Sequence, residues 1–357
     1  MKLTFRGAGG IMRAMIEKEK SLMENRRLFA QDARVAMIGD SITHSGLAIA
    51  YIQEYYATHF PGRHVKLYNL GIGGDSAAHS LSRLDEMLSV EPTEAVVMFG
   101  VNDMGVPCYG AAPTEEELSR RAASRRRHLE GTVALVERLL EHGVSVTLCS
   151  SVGRDEHTPG NGGMMSYGAT DALLGMYYDN LAALSGKLKN TVDYLTPMQG
   201  LQSDLVALGG PSLFAPDRTH PNDLGQAVMA RILLSAQGLP VSLPTAAGLL
   251  AGWRERPLPS ALAERRHAEL RWRDLHWVYP HQGDRTQGMG LSERIAFWRR
   301  ELETPGLSQY FVNMYKNYVE HAAHEPEYFA EYMAMTDAIY SSGLGEIEEN
   351  VKETLRV

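Results

Sequence analysis

Four short blocks of this 357-residue chain carry side chains from which a hydrolytic reaction could be built. Gly39-Asp40-Ser41-Ile42-Thr43 offers a serine hydroxyl. Serine alone is a poor nucleophile; it needs a base, and the base needs a group to orient it. Asp217-Arg218-Thr219-His220-Pro221 supplies both, with a carboxylate three residues ahead of an imidazole. Gly100-Val101-Asn102-Asp103 brings a neutral amide donor, suited to the oxyanion of a tetrahedral intermediate. Asn69-Leu70-Gly71-Ile72-Gly73-Gly74-Asp75-Ser76 is glycine-rich and lets backbone approach a ligand closely. Taken singly, each block is also a common structural device: a turn with a helix N-cap, an Asx-turn or a surface pair.

Positioning these blocks requires a scaffold, and the hydrophobic pattern outlines one. Continuous apolar runs at Arg34–Ile38, Val65–Leu70, Ala95–Phe99, Val144–Cys149 and Val192–Leu195 predict strands buried on both faces. Helical periodicity lies between them at Leu47–His59, Ala77–Leu88, Glu115–His142, Ala169–Leu188 and Asn222–Gln237. Strand and helix alternate five times, which predicts a three-layer α/β/α fold around a five-stranded parallel sheet. In such folds ligands bind at the carboxyl ends of the strands, where three of the blocks fall. The fourth stands just before the last helix of this region. The glycine-rich block is not a dinucleotide loop, because Ser76 stands where the third glycine of that fingerprint belongs.

Past Leu239 the pattern changes. Pro240, Pro244, Pro257 and Pro259 punctuate a linker-like stretch. Only helical periodicity follows, at Ala261–Trp277, Ser292–Leu302, Ser308–Ala323 and Pro326–Tyr340, with all four tryptophans in this part. Ile11–Phe29 also has helical spacing. The expected organisation is an N-terminal helical extension (1–33), a catalytic domain (34–238) and an aromatic-rich helical appendage (239–357). The appendage could bury its aromatic residues against the core or a second subunit, so a homo-oligomer is one expectation.

The net charge of −8 offers no global cationic field for nucleic acid or anionic membrane. The five arginines between Arg120 and Arg127 follow Glu115, Glu116 and Glu117 and fit a solvated, internally paired helix face. Two cysteines, Cys108 and Cys149, cannot form a disulfide framework and fit free thiols in a reducing compartment. His321-x-x-His324 has no carboxylate motif to complete a metal site, so neither metal nor cofactor is expected. The charged N-terminal segment does not fit a secretory signal, and no apolar run is long enough for a membrane span; a soluble, cytoplasmic protein is expected. The glycine-rich loop Arg154–Gly168, after the fourth strand, is placed to shape the substrate pocket.

Taken together and in this order, the four blocks resemble the SGNH (GDSL-type) esterase family, over about Arg34 to Gly238. Its fold is flavodoxin-like. The family's isolated glycine corresponds best to Gly74, which precedes Asp75-Ser76. The resemblance implies that Ser41 is the nucleophile, His220 the acid–base and Asp217 its orienting carboxylate. Ser41 N–H, Gly74 N–H and the Asn102 amide then form the oxyanion hole, with Asp40 and Asp103 in support. Within the family the motifs look most like carbohydrate acetylesterases of the acetylxylan type. That implies a small-molecule or oligosaccharide ester as substrate. A lysophospholipase or thioesterase acting on longer acyl chains is an alternative, and a non-catalytic binding or assembly protein on the same scaffold is another.

Overall fold

The computed structural model describes residues 28–158, 166–273 and 289–303, with a few isolated positions between 315 and 326. Five strands form one parallel sheet: β1 (Arg34–Gly39), β2 (Lys66–Gly71), β3 (Glu94–Met98), β4 (Ser145–Cys149) and β5 (Asn190–Val192). Their spatial order is β2-β1-β3-β4-β5, with Ala36 aligned to Tyr68 on one side and to Ala95 on the other. The order reverses between β1 and β3, so the chain leaves these two strands toward opposite sides and a crevice opens at their carboxyl ends. Ser41 follows β1 and Asn102 follows β3.

Because side chains alternate across a strand, each strand feeds two cores. Val35, Met37, Val96 and Met98 face one, with Ile49, Ile52, Val228 and Leu233 from α2 (Leu47–His59) and α8 (Asp223–Ala236). Ala36, Ile38, Ala95 and Val97 face the other, with Leu135, Val136 and Leu139 from α5 (Glu115–Glu141). This explains the continuous rather than alternating apolar runs. The long α5 starts with a capping box, in which Thr114 Oγ1 accepts the Glu117 N–H at 3.2 Å and Glu117 accepts the Thr114 N–H at 2.7 Å.

Two expected elements are corrected. The strand expected over Val192–Leu195 ends at Val192, and Leu195 instead begins helix α7 (Leu195–Ala207). Asp193 Oδ1 accepts the Thr196 N–H at 3.1 Å, and Ser150 Oγ accepts the N–H groups of Tyr194 and Leu195. These side chains turn the backbone out of the sheet, and the apolar run then serves the first turn of a helix. The continuous helix expected over Ala77–Leu88 is broken into α3 (Ala77–Ser80), a 3-10 turn at Leu81–Arg83 and α4 (Leu84–Ser89). The break accompanies burial of Arg83, whose guanidinium pairs with Asp75 on one side and Glu86 on the other. The remaining helix of the sheet region, α6 (Ala169–Ala183), ends five residues before its expected limit.

The apolar core does not stop at residue 238. Leu239, Ala246 and Leu249 belong to the same buried cluster as the sheet, and Trp253 packs on it under Arg231. The segment includes a short helix, α9 (Ala246–Leu250). Two of the expected C-terminal helices are present as α10 (Ser260–Arg273) and α11 (Leu291–Leu302). Trp298 and Phe297 of α11 form a separate small cluster with Tyr315 and Ala322. Most of the helices expected at Ser308–Ala323 and Pro326–Tyr340, His321 and His324, and most of Ile11–Phe29 lie outside the described residues. No helix among the described residues is long and apolar enough to cross a membrane.

Helix α3, directly behind the glycine-rich block, is set by a close approach to α5. A Cβ on Gly131 would lie 2.5 Å from the Ala78 backbone. Gly131→Ala is therefore expected to destabilise the fold by about 1–3 kcal/mol, as over-packing does. Thermal melting of the variant against the parent protein measures this; an unchanged midpoint would show that α3 can move aside.

Candidate active site

The serine sits on a one-turn helix, α1 (Ser41–His44), that starts where β1 ends. Asp40 is its N-cap, with its carboxylate accepting the Ile42 N–H at 2.9 Å. The turn is tight enough to exclude side chains at two positions. A Cβ on Gly39 would stand 2.7 Å from the Met98 carbonyl oxygen, and one on Gly71 would stand 2.3 Å from the His44 nitrogen. These glycines let α1 press against the ends of β3 and β2. From the other side, Gln226 of α8 donates to Ile42 O and accepts from Ala48 N, both at 3.2 Å. It ties the serine's helix to the helix that follows the histidine.

The imidazole comes from the loop before α8. This loop is closed by a bridge between Phe214 and Pro221 and by a hydrogen bond from Ala215 N to His220 O, 2.8 Å. Arg218 at its tip takes a left-handed conformation, φ 65°. That reversal lets Asp217 Oδ1 accept the N–H groups of Thr219 and His220 at 2.9 and 3.0 Å. Asp217 Oδ2 lies 2.6 Å from His220 Nδ1, and His220 Nε2 lies 2.7 Å from Ser41 Oγ. The tautomer that satisfies both contacts carries its proton on Nδ1, so that the Ser41 hydroxyl donates to Nε2. Burial alone pushes the Asp217 carboxyl upward. The N–H donors of His220 and Thr219 and the imidazole outweigh that and hold it below the usual carboxylate range.

The histidine loop is braced by the segment after β4. Arg218 donates to the carbonyls of Asp155 and Thr158, 3.0 and 2.8 Å, while Asp155 N donates to Arg218 O at 2.8 Å. Arg154 is buried and donates to Ser166 Oγ at 2.9 Å and to Thr219 Oγ1. Residues 154–158 thus hold up the histidine loop. Residues 159–165 of the same loop lie outside the described residues. Arg154, Gln226 and the structural work of Arg218 were not foreseen from the sequence. Arg218 lies inside the Asp-Arg-Thr-His block, whereas nothing in the local pattern marks Arg154 or Gln226.

Across the crevice, Asn102 is exposed and its Nδ2 donates to Asp75 O at 2.8 Å. Gly74, half-buried at φ 78°, is the residue just before that carbonyl. The third and second blocks therefore meet. Two buried networks stand behind them. Asp103 Oδ1 accepts the Ala77 N–H at 3.1 Å and lies 3.2 Å from His128 Nδ1, while Asn180 Nδ2 lies 3.0 Å from His128 Nε2. Asp75 Oδ2 accepts from Arg83 Nε at 3.1 Å. Asp40 lies near both networks. Its burial, with Asp103 and Asp75 nearby, pushes its carboxyl up to about 7 despite the Ile42 N–H that favours the charged form.

The other sequence candidates fall elsewhere. Arg120 pairs with Glu116, Arg125 with Asp179, and Arg121 lies over the Tyr109 ring. Cys108 and Cys149 are buried free thiols, and burial pushes the Cys149 thiol well up. No group of three or more metal-ligating side chains gathers among the described residues.

The model of the GDSL-like lipase/acylhydrolase family matches residues 37–228, more than half of the chain. The chain belongs to this family. It is a carboxylic ester hydrolase with a small-molecule ester as substrate. Among curated proteins no sequence match was found. Solved structures are similar in fold. A gut microbial diltiazem-metabolizing enzyme superposes with a TM-score of 0.62 at 16% identity, covering 92% of this chain and 94% of its own. An acetyl xylan esterase covers 57% of this chain and 98% of its own, at 20% identity and a TM-score of 0.46. An acetylxylan esterase from Geobacillus stearothermophilus covers 59% and 96%, at 18% identity and a TM-score of 0.46.

The raised Asp40 carboxyl has a consequence for stability. A carboxyl whose folded pKa lies above its unfolded value of 3.8 binds its proton more tightly in the folded state. Its contribution is fully favourable below that value and is lost as the pH climbs to about 7. Asp40→Asn keeps an oxygen to cap α1 and cannot ionise. Its melting temperature relative to the parent is expected to rise between about pH 4 and pH 8. Parallel melting curves across that range would show that Asp40 does not titrate there.

Proposed function

We propose that the protein is a serine esterase that cleaves short acyl groups, acetyl foremost, from carbohydrate esters. The observation that carries the catalytic part is the continuous chain Asp217–His220–Ser41, with contacts of 2.6 and 2.7 Å. In this scheme Ser41 Oγ attacks the ester carbonyl while its proton passes to His220 Nε2. Asp217 holds the imidazole in register and stabilises the imidazolium that results. Collapse of the tetrahedral intermediate breaks the bond to the alkoxy oxygen, which leaves as the alcohol with the proton from His220. Water then attacks the acyl-serine, giving its proton to His220. The second collapse releases the carboxylic acid and restores Ser41.

The negative charge that develops on the carbonyl oxygen needs donors already in place. The N–H groups of Ser41 and Gly74 and the Asn102 amide are assigned that role. An amide nitrogen carries two hydrogens, so Asn102 can keep its bond to Asp75 O and still present one to the oxyanion. Asp40 and Asp103 support these donors by capping α1 and by holding the Ala77 N–H. The preference for acetyl groups on sugars is supported by the resemblance of Gly-Asp-Ser-Ile-Thr, Gly-x-Asn-Asp and Asp-Arg-x-His-Pro to carbohydrate acetylesterases.

Ser41→Ala is expected to abolish hydrolysis of p-nitrophenyl acetate, and Asn102→Ala to lower kcat by about 10²–10³. Full activity in Ser41→Ala would remove the nucleophile assignment. In a substrate series, the acetyl ester should be turned over faster than the octanoyl ester, and acetylated saccharides should release acetate. Preference for octanoyl would replace the acetylesterase assignment with a long-chain one.

A further inference from the structure

Helix α1 is a single turn, and the position of Ser41 depends on what holds its two ends. The front end is capped by Asp40. The back end presents carbonyl oxygens that have no partner within so short a helix. Asn69 Nδ2 donates to His44 O at 2.9 Å, from the sheet side. The next carbonyl, Ser45 O, is taken from outside the hydrolase region. Arg266 of α10 donates to it through both Nε and Nη2, at 2.9 and 2.7 Å. Ser45 N in turn donates to Ser41 O at 3.1 Å, so the held residue is one hydrogen bond from the backbone of the serine. Gly46, left-handed at φ 70°, makes the turn between α1 and α2; a Cβ there would crowd Asn69 Nδ2 at 3.0 Å and meet Arg266 Cγ at an ordinary 3.6 Å.

The guanidinium is half-buried and within electrostatic reach of Asp223, the first residue of α8 and three positions after His220. One cation therefore holds the end of the serine's helix and lies within electrostatic reach of the helix that follows the histidine. Leu262 and Arg265 of the same helix line a small cavity together with Gly46 and with Ile49 and Ala50 of α2. Arg266 lies beyond residue 228, the last residue matched by the family model.

We infer that Arg266 is a positioning residue for the reaction: by clamping Ser45 O, helix α10 holds the Ser41 turn in register with His220. The C-terminal part of the chain is then a working component of the active site. Displacing a reacting group by a fraction of an ångström slows chemistry while leaving ground-state binding nearly intact. The inference rests on the assignment of Ser41 as nucleophile.

The test uses the full-length protein and Arg266→Met, with Arg256→Met, at an exposed arginine before α10, as the control that removes the same charge. Covalent labelling of Ser41 by a fluorophosphonate is followed under saturation, together with kcat and KM for p-nitrophenyl acetate. Rates are normalised to folded protein measured by circular dichroism. Arg266→Met should slow labelling and kcat by about tenfold and move KM by less than about twofold. Arg266→Lys should recover part of the loss, and Arg256→Met should match the parent. Parent-like labelling in Arg266→Met, or equal slowing in Arg256→Met, overturns the inference. If Arg266→Met does not fold, Arg266→Gln, which loses the charge and the paired donors, takes its place, and an unchanged labelling rate there overturns it. Failure of the parent enzyme to label at Ser41 is a separate result; it removes the nucleophile assignment and this inference with it.

Discussion

The hydrogen bond between His220 Nε2 and Ser41 Oγ joins residues 179 positions apart in the chain. Its geometry tolerates little error, since a hydrogen bond weakens steeply when stretched or bent. Neither partner stands on a long rigid element. Ser41 opens a one-turn helix, and His220 hangs from a loop. Much of the surrounding structure serves to remove the freedom of these two groups. Gly39 and Gly71 let the serine's turn sink against the sheet, Gln226 ties it to α8, and Arg154 and Arg218 brace the histidine loop from the segment after β4.

Charge is distributed around the crevice by the same logic. Asp217 is half-exposed and surrounded by donors, so it stays a carboxylate and can stabilise an imidazolium. Asp40, close by in sequence to the serine, is fully buried and shares its surroundings with Asp103 and Asp75, so its proton is held far more tightly. Two carboxyls at one site are driven apart by burial and by the number of N–H groups that point at each. The buried Arg83 guanidinium keeps Asp75 and Glu86 compensated, and through Asp75 it fixes the carbonyl that Asn102 holds.

Much of the fold was legible along the chain. Continuous apolar runs mark strands covered on both faces, and four of the five expected strands match to within a residue or two at their ends. The failures have local physical causes. At Val192–Leu195 the apolar run continues across a strand-to-helix turn, because both elements bury their residues in the same core. At Ala77–Leu88 the periodicity is intact, yet the buried Arg83 ion pairs accompany a break in the helix. Neither the turn made by Ser150 and Asp193 nor the pairing of Arg83 with Asp75 leaves a periodic trace.

Residue types and their order were enough to point to the hydrolase scaffold and to single out Ser41, His220 and Asp217, which the fold links through contacts of 2.6 and 2.7 Å. That is possible because catalysis restricts the chemistry of those positions, and short turns restrict their spacing. What tertiary structure alone decided is how the pieces are held. Arg154, Gln226 and Arg266 act on the site from 65, 184 and 221 residues away in the chain. Their contacts go to backbone carbonyls or to a hydroxyl that many residues could supply in other ways. Nothing in a linear pattern distinguishes such an arginine or glutamine from its surface counterparts; only the packing of α8, of α10 and of the segment after β4 around the site brings them to the serine's turn and the histidine loop.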